Sequence, residues 1–234
     1  MKKKLTPEEI RKAFLSTVPV MTGYIVLGIG FGIILKTSGY GVLWALAMSV
    51  FIYAGSMQFV AINLLTGGAS LITVALTTLM VNARHLFYGI SMIDKYRGAG
   101  AKKPYLIFAL TDETYSLVCS ENAAKNISDR HGYFFLISLF DQLYWVTGCV
   151  LGSLLGSVIP FNTEGIDFAL TALFVTVFVE QWLDSKRHSP ALIGVGASVL
   201  CLLIFGRDNF LIPAMIIITV LLMLIRKKEV SCDA

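Results

Sequence analysis

The stretch GVLWALAMSVFIYAGSMQFVAINLL, from Gly41 to Leu65, contains no Asp, Glu, Lys or Arg. Coiled as a helix at 1.5 Å per residue, it is long enough to cross the roughly 30 Å hydrocarbon core of a bilayer. Its polar groups gather mid-segment, at Tyr53, Ser56 and Gln58 beside Gly55. Gly and Ser there can loosen a helix and free backbone groups to hold a ligand. Close helix packing is the plainer use of the same residues.

Seven more apolar segments lie near Phe14–Leu35, Ser70–Met92, Pro104–Ser120, Gly132–Ile159, Asp167–Leu183, Pro190–Phe205 and Phe210–Ile225. The 234 residues are 56% apolar and 15% charged, against about 25% charged in soluble domains. Mean hydropathy is +0.75. One soluble core could not hide so much apolar surface. Lipid tolerates no exposed irregular backbone, and the alternation of a membrane barrel is absent, so the segments are expected to be helices. The sequence predicts an all-α integral membrane protein, a polytopic bundle of about eight helices that cross or are partly re-entrant. Residues 1–13 read as a basic N-terminal segment, 14–225 as a single transmembrane domain and 226–234 as a C-terminal tail. The apolar run from Phe14 is span-length and more spans follow, so no cleaved leader is expected.

The formal net charge is +4, from 19 Lys and Arg against 15 Asp and Glu. These bases sit mainly at the ends and in short connections, which suits anionic lipid rather than nucleic acid. Lys2, Lys3, Lys4, Arg11 and Lys12 place the N-terminus in the cytoplasm, and Arg226, Lys227 and Lys228 place the C-terminus there. Lys186 and Arg187 agree with eight crossings. Lys95, Arg97, Lys102 and Lys103 do not, because three crossings would carry them outside. Either that loop is a tolerated exception, or one early segment and the polar fourth segment turn back inside the membrane.

Small residues recur at helix-contact spacing, at Gly28 and Gly32 and at Gly148, Gly152 and Gly156. Internal packing is the first use of such a stripe, and a partner helix the second. The second and fifth segments share a faint likeness, Ser49-Val50-Phe51 and Ser138-Leu139-Phe140. A 3+3 inverted repeat followed by two C-terminal helices would account for it. Cys119, Cys149, Cys201 and Cys232 form no CxxC pair and read as reduced thiols, with no disulfide framework and no metal site.

The polar residues inside the apolar segments carry the chemistry: Gln58, Asn63, Asn82, Arg84, His85, Asp112, Glu113, Asp141, Gln142, Glu180 and Gln181. A charge at mid-bilayer costs roughly 2.5–3.5 kcal/mol. Four lipid-facing carboxylates would cost on the order of 10 kcal/mol, which rivals the stability of a whole fold. They must face the interior, water, a cation or a proton. Arg84 either recognises a carboxylate, oriented by Asn82 and His85, or makes a structural salt bridge to Asp112 or Asp141. A lone membrane His such as His85 is more often hydrogen-bonded structure than a proton carrier. Asp112 and Glu113 can bind an ammonium group or a coupling proton, or lie solvated at an interface. Asp141, beside Trp145 and Gly148 on one face, suits a proton-carrying role. Glu180 sits near a helix end, where it can snorkel to water. The chain has no Walker-type GxxxxGK[ST], no HExxH and no GxSxG, and no catalytic constellation stands out. The reading is therefore not an enzyme and needs no cofactor. A membrane-embedded enzyme built on the acids and His85 is the alternative.

Ala54-Gly55-Ser56-Met57-Gln58-Phe59, Val81-Asn82-Ala83-Arg84-His85-Leu86-Phe87-Tyr88-Gly89, Thr111-Asp112-Glu113 and Phe140-Asp141-Gln142-Leu143-Tyr144-Trp145 resemble the AzlC-type family. The likeness runs from about Phe14 to Ile225. Met57 departs from the alanine more common there. The resemblance implies the large subunit of a bacterial exporter of branched-chain amino acids, valine, leucine and isoleucine. It also implies the cytoplasmic membrane, coupling to the proton gradient and a small AzlD-type membrane subunit as partner. Export of another small amino acid or metabolite is the alternative within this class. A zwitterion with an aliphatic tail fits the residues. Arg84, Asn82, His85, Gln58, Ser56 and Tyr53 are the candidates for binding it, with Phe59 and Trp145 as apolar walls. Asp112, Glu113 and Asp141 are the candidates for its ammonium group or the proton.

Overall fold

Thr6 opens the first helix through a capping box. Its hydroxyl accepts the Glu9 N–H at 3.3 Å, and its own N–H donates to Glu9 Oε2 at 2.8 Å. From there α1 runs unbroken from Pro7 to Thr37. The computed structural model describes residues 5–119, 124, 127–158, 175, 178–179, 182–183 and 188–232. Among these, every regular element is helical. The chain divides into two compact units, Met1–Leu170 and Thr171–Ala234.

In the first unit α1 packs against the other long helix, α8 (Arg130–Val158). Both glycine stripes meet in this contact. A Cβ at Gly28 would lie 2.9 Å from Cys149 N, one at Gly148 2.8 Å from Ile25 O, and one at Gly156 3.2 Å from Ile33 Cα. Lipid gives helices little hydrophobic reason to associate, so close backbone approach supplies the dispersion that holds the pair. Paired positions rise together, from Phe14 with Phe140, through Thr17 with Tyr144, to Ile33 with Gly156. The two helices are therefore parallel. The end that carries Glu9 and Asp129 is called the near end below, and the other the far end.

Between them the apolar segments break. The second becomes α2 (Val42–Phe51) and α3 (Gly55–Thr66). The third becomes α4 (Leu71–Asn82) and α5 (Arg84–Met92), bent by 49°. The fourth becomes α6 (Lys103–Phe108) and α7 (Asp112–Val118). Its two ends lie together at the near end. Lys102 Nζ donates to Asp129 Oδ2 at 2.8 Å, and Lys95 Nζ donates to the Cys119 carbonyl at the end of α7. Between them the segment reaches inward to Thr111, whose hydroxyl meets that of Tyr24 midway along α1. The fourth segment is thus a hairpin that enters and leaves at the near end. The second is another, entered from the far end. It turns at Tyr53, beside Trp145, and heads back so that Phe59 packs edge-on against Phe31 at 5.4 Å.

This settles the basic loop. Glu9 accepts both the N–H and the hydroxyl of Ser128 at 2.6 and 2.7 Å, so the start of α1, residues 93–103 and residues 127–131 share one end. Lys95, Arg97, Lys102 and Lys103 therefore lie at the same end as the start of α1, and among the described residues the second and fourth segments do not run from one end to the other. The faint likeness of the second and fifth segments also lacks a like backbone, since the second is broken and α8 is continuous. Both glycine stripes serve internal packing.

In the second unit α9 (Ser189–Asn209), kinked at Gly206, packs on α10 (Leu211–Cys232). Among the described residues three helices, Pro7–Thr37, Arg130–Val158 and Ser189–Gly206, are long and apolar enough to cross a bilayer, and α4 with α5 makes a fourth if taken as one span. The sixth expected segment lies largely outside the described residues. Glu180, Gln181, Lys186, Arg187 and Lys2 to Lys4 lie wholly outside them.

Candidate functional site

The breaks of the two hairpins and the bend of α4–α5 fall at one depth, beside Tyr24 of α1 and Trp145 of α8. At the first, Tyr53 holds φ 43°, a left-handed conformation that a bulky side chain adopts only when its surroundings impose it. Its ring is buried, with the Phe108 ring of the other hairpin 6.2 Å away. Ala54 offers no side-chain cap, so the first N–H groups of α3 stand open at mid-depth. Ala83 likewise leaves α5 uncapped. Thr111 does cap α7, accepting the Thr114 N–H at 3.3 Å. Asp112 and Glu113 occupy the first turn of α7, where the helix dipole favours carboxylates. The freed carbonyl of Val50 is met by Gln142 Nε2 at 3.1 Å, while Gln142 Oε1 accepts the Tyr105 hydroxyl at 2.7 Å.

Arg84 ties these breaks together. Its Nη1 is paired with Asp112, and its Nη2 donates to Ser56 Oγ at 2.6 Å. One side chain at the start of α5 therefore holds the first turns of α7 and α3. Its Nε has no partner. Of the two carboxylates open to Arg84 from the sequence, Asp112 is the one it takes. Asp141 is fully buried and instead accepts the Thr114 hydroxyl on Oδ2 at 2.8 Å, with Oδ1 unpartnered. Gln58, also fully buried, accepts Trp145 Nε1 at 2.8 Å.

The other expected residues divide. Asn82 lies beside the bend, and its Oδ1 is buried without a partner. His85 bonds back to its own chain and not to the ion pair. Its Nδ1 lies 3.2 Å from the Asn82 carbonyl and its ring edge packs on Tyr88. Asn63 is exposed near the end of α3. Asn82, His85 and Gly89, with Leu79, Ile107 and Leu110, line a cleft of about 350 Å³ between the α4–α5 bend and α6.

Sequence reasoning missed Tyr24, Thr111 and Thr114. The Tyr24 hydroxyl lies 2.7 Å from Glu113 Oε2 and 2.7 Å from Thr111 Oγ1, and Thr111 Oγ1 lies 3.1 Å from Thr114 Oγ1. A signal was present for each. Tyr24 continues the Gly28–Gly32 stripe one turn earlier, and the two threonines bracket the acids of Thr111-Asp112-Glu113-Thr114.

The family profile described as AzlC protein matches residues 19–159. The chain is 48% identical to the Branched-chain amino acid transport protein AzlC of Bacillus subtilis, over 94% of this chain and 88% of that protein. It is 42% identical to an uncharacterized membrane protein of Haemophilus influenzae, over 97% of this chain and 93% of that one. It is 28% identical to the inner membrane protein YgaZ of Escherichia coli, over 86% and 82%. No solved structure matches.

Proposed function

The chain belongs to the AzlC protein family, and we propose that it is the large subunit of a secondary transporter that exports branched-chain amino acids across the bacterial cytoplasmic membrane. The observation that carries this reading is the convergence of three helix breaks at one depth, bridged by Arg84. A zwitterion asks for a positive group, a negative group and an apolar pocket. The open start of α3 carries partial positive charge, and Arg84 adds a full one. Asn82 Oδ1 and the carboxylates offer acceptors for an ammonium group. The cleft takes the aliphatic side chain, its volume lying at the lower end of the range of about 300–1,000 Å³ for small-molecule pockets. The name of the Bacillus subtilis relative supports the substrate class.

The drive in this reading is the proton gradient, with Glu113 and Asp141 as the titrating groups. Both termini are cytoplasmic, which puts Lys95, Arg97, Lys102 and Lys103 on the cytoplasmic side as the charge rule asks. Residues 14–225 act as one transport domain beside a small AzlD-type subunit, and no catalysis is involved. The test loads cells with a leucine-containing dipeptide and follows leucine efflux with this chain alone, with its partner and with neither. Arg84→Ala and Asp112→Asn are each expected to abolish efflux while the protein stays in the membrane. Unchanged efflux from both variants refutes the assignment.

A further inference from the structure

We propose that Glu113 and Asp141 share one proton through a wire of three hydroxyls, Tyr24, Thr111 and Thr114, and that this wire is where proton movement couples to transport. The proposal rests on the exporter reading above. Four oxygen-to-oxygen links make the wire. They run from Glu113 Oε2 to the Tyr24 hydroxyl (2.7 Å), on to Thr111 Oγ1 (2.7 Å), to Thr114 Oγ1 (3.1 Å) and to Asp141 Oδ2 (2.8 Å). All four lie within hydrogen-bond reach.

The hydrogens can be counted. Each link needs one hydrogen, and each hydroxyl supplies one. Three hydroxyls cannot fill four links. With both carboxylates ionised, one link would set lone pair against lone pair, and along the buried part of the row no water can relieve it, since Thr114 and Asp141 are fully buried. One proton on either carboxylate completes the row. With that proton on Glu113, Glu113 donates to Tyr24, Tyr24 to Thr111, Thr111 to Thr114 and Thr114 to the Asp141 carboxylate. Transfer breaks the Glu113 O–H bond and forms one on Asp141, while each hydroxyl gives up its own proton and takes its neighbour's. The row then points the other way, and no charge has crossed apart from the proton itself.

The surroundings give the wire a direction. Glu113 is its half-buried end and Asp141 its sealed end. The other titratable groups near Asp141 are the phenols Tyr53 and Tyr105. Those near Glu113 are the phenols Tyr53 and Tyr88 and the pair Asp112 and Arg84, which are bound to each other. A substrate that competes for Arg84 therefore changes the charge beside Glu113, which is how binding would reach the proton. Intramembrane carboxylates in relays of this kind are a recurrent use of buried acids.

The experiment reconstitutes the full chain with its partner in lipid vesicles and measures two rates, leucine efflux driven by a proton gradient and leucine exchange at equilibrium. Tyr24→Phe and Thr114→Val each remove one hydrogen from the row. Gradient-driven efflux is expected to fall about a hundredfold or more, the usual scale for losing a proton-transfer group, while exchange persists. Thr114→Ser keeps the hydroxyl and should restore the drive. An undiminished drive in both variants overturns the wire, as does joint loss of drive and exchange without rescue by serine. Infrared spectroscopy gives a second reading. The wild type should show a protonated-carboxyl band at neutral pH that disappears when Glu113→Gln and Asp141→Asn are combined. Its absence from the wild type overturns the proposal. Leucine efflux indifferent to the gradient, with that band present, would instead refute proton-driven export and leave the shared proton standing.

Discussion

Replacing Gly152 with alanine tests whether α1 and α8 touch backbone to backbone. A Cβ there would lie 2.6 Å from Ile29 Cα and 2.7 Å from Ile29 C, where carbon atoms rest at about 3.5–4.0 Å. The obstacle is main chain, so no change of rotamer relieves it, and the helices must part by about 1 Å. A gap of that order forfeits about a quarter to a half of each dispersion contact along the seam. Overpacking of this kind costs about 1–3 kcal/mol. Against it stands the gain of about 1 kcal/mol in helix propensity when alanine replaces glycine. Gly23 isolates that gain, because on the same α1 a Cβ would meet nothing within 4 Å. The two substitutions share their chemistry and should differ by about 1–3 kcal/mol, with Gly152→Ala the less stable. Reversible unfolding in mixed detergent micelles measures both. A Gly152→Ala protein as stable as Gly23→Ala would refute the close crossing and, with it, the parallel register of the bundle.

Two further outcomes follow from the hairpins and the near end. Single cysteines introduced at Ser38, Ser70 and Arg97 into a cysteine-free background should report two sides to a membrane-impermeant thiol reagent, Ser38 with Ser70 and Arg97 opposite. Eight full crossings would instead group Ser38 with Arg97. Asp129 caps α8 and pairs with Lys102, and although partial burial pushes its carboxyl up, the Lys102 ammonium and the Gly132 N–H outweigh burial and hold it below the ordinary 3.8. Its stabilisation is therefore present above the ordinary carboxylate range and lost as pH falls through the lowered value. Denaturation between neutral pH and pH ~3 should show a slope that Asp129→Asn reduces, and parallel curves for the two proteins would count against the cap.

The membrane class was legible because composition alone decides it. The glycine stripes were legible too, since only close packing gives that spacing a use, and both proved to be internal. Topology was not, for a physical reason. A segment that turns back at mid-depth needs the same apolar length as one that crosses, so hydropathy cannot separate them. The discordant charges at Lys95, Arg97, Lys102 and Lys103 and the polar Thr111-Asp112-Glu113 inside the fourth segment were the signs that not every segment runs from end to end. The Tyr53–Gln58 stretch announced a loosened helix, and the chain does break there. That Gln58 would meet Trp145, or Asp141 meet Thr114 rather than Arg84, depends on which hairpin leans on α8, and no local spacing encodes that. Tyr24, Thr111 and Thr114 were overlooked because hydroxyls are ordinary in membrane helices and become informative only when placed in a row.

The two roles open to Arg84, structural partner and substrate binder, are not exclusive once its donors are counted. A guanidinium carries five N–H groups in a fixed plane. Nη1 serves Asp112, Nη2 serves Ser56, and Nε is buried with nothing to bond. An unsatisfied charged donor in such a place costs more than 1 kcal/mol, so either the fold tolerates a persistent penalty or an acceptor arrives from outside the chain. Asn82 Oδ1, two residues earlier at the same bend, is an acceptor in the matching predicament. A molecule that brings an acceptor to Arg84 Nε and a donor to Asn82 Oδ1 would relieve both at once, and the zwitterion of the proposed reading is one such molecule. Lysine at position 84 can keep the charge but not the fork, so it would have to abandon Asp112 or Ser56 to reach a ligand. Under the exporter reading, a substrate carboxylate that reaches Nε would share the guanidinium with Asp112, loosen that pair and so change the charge beside Glu113.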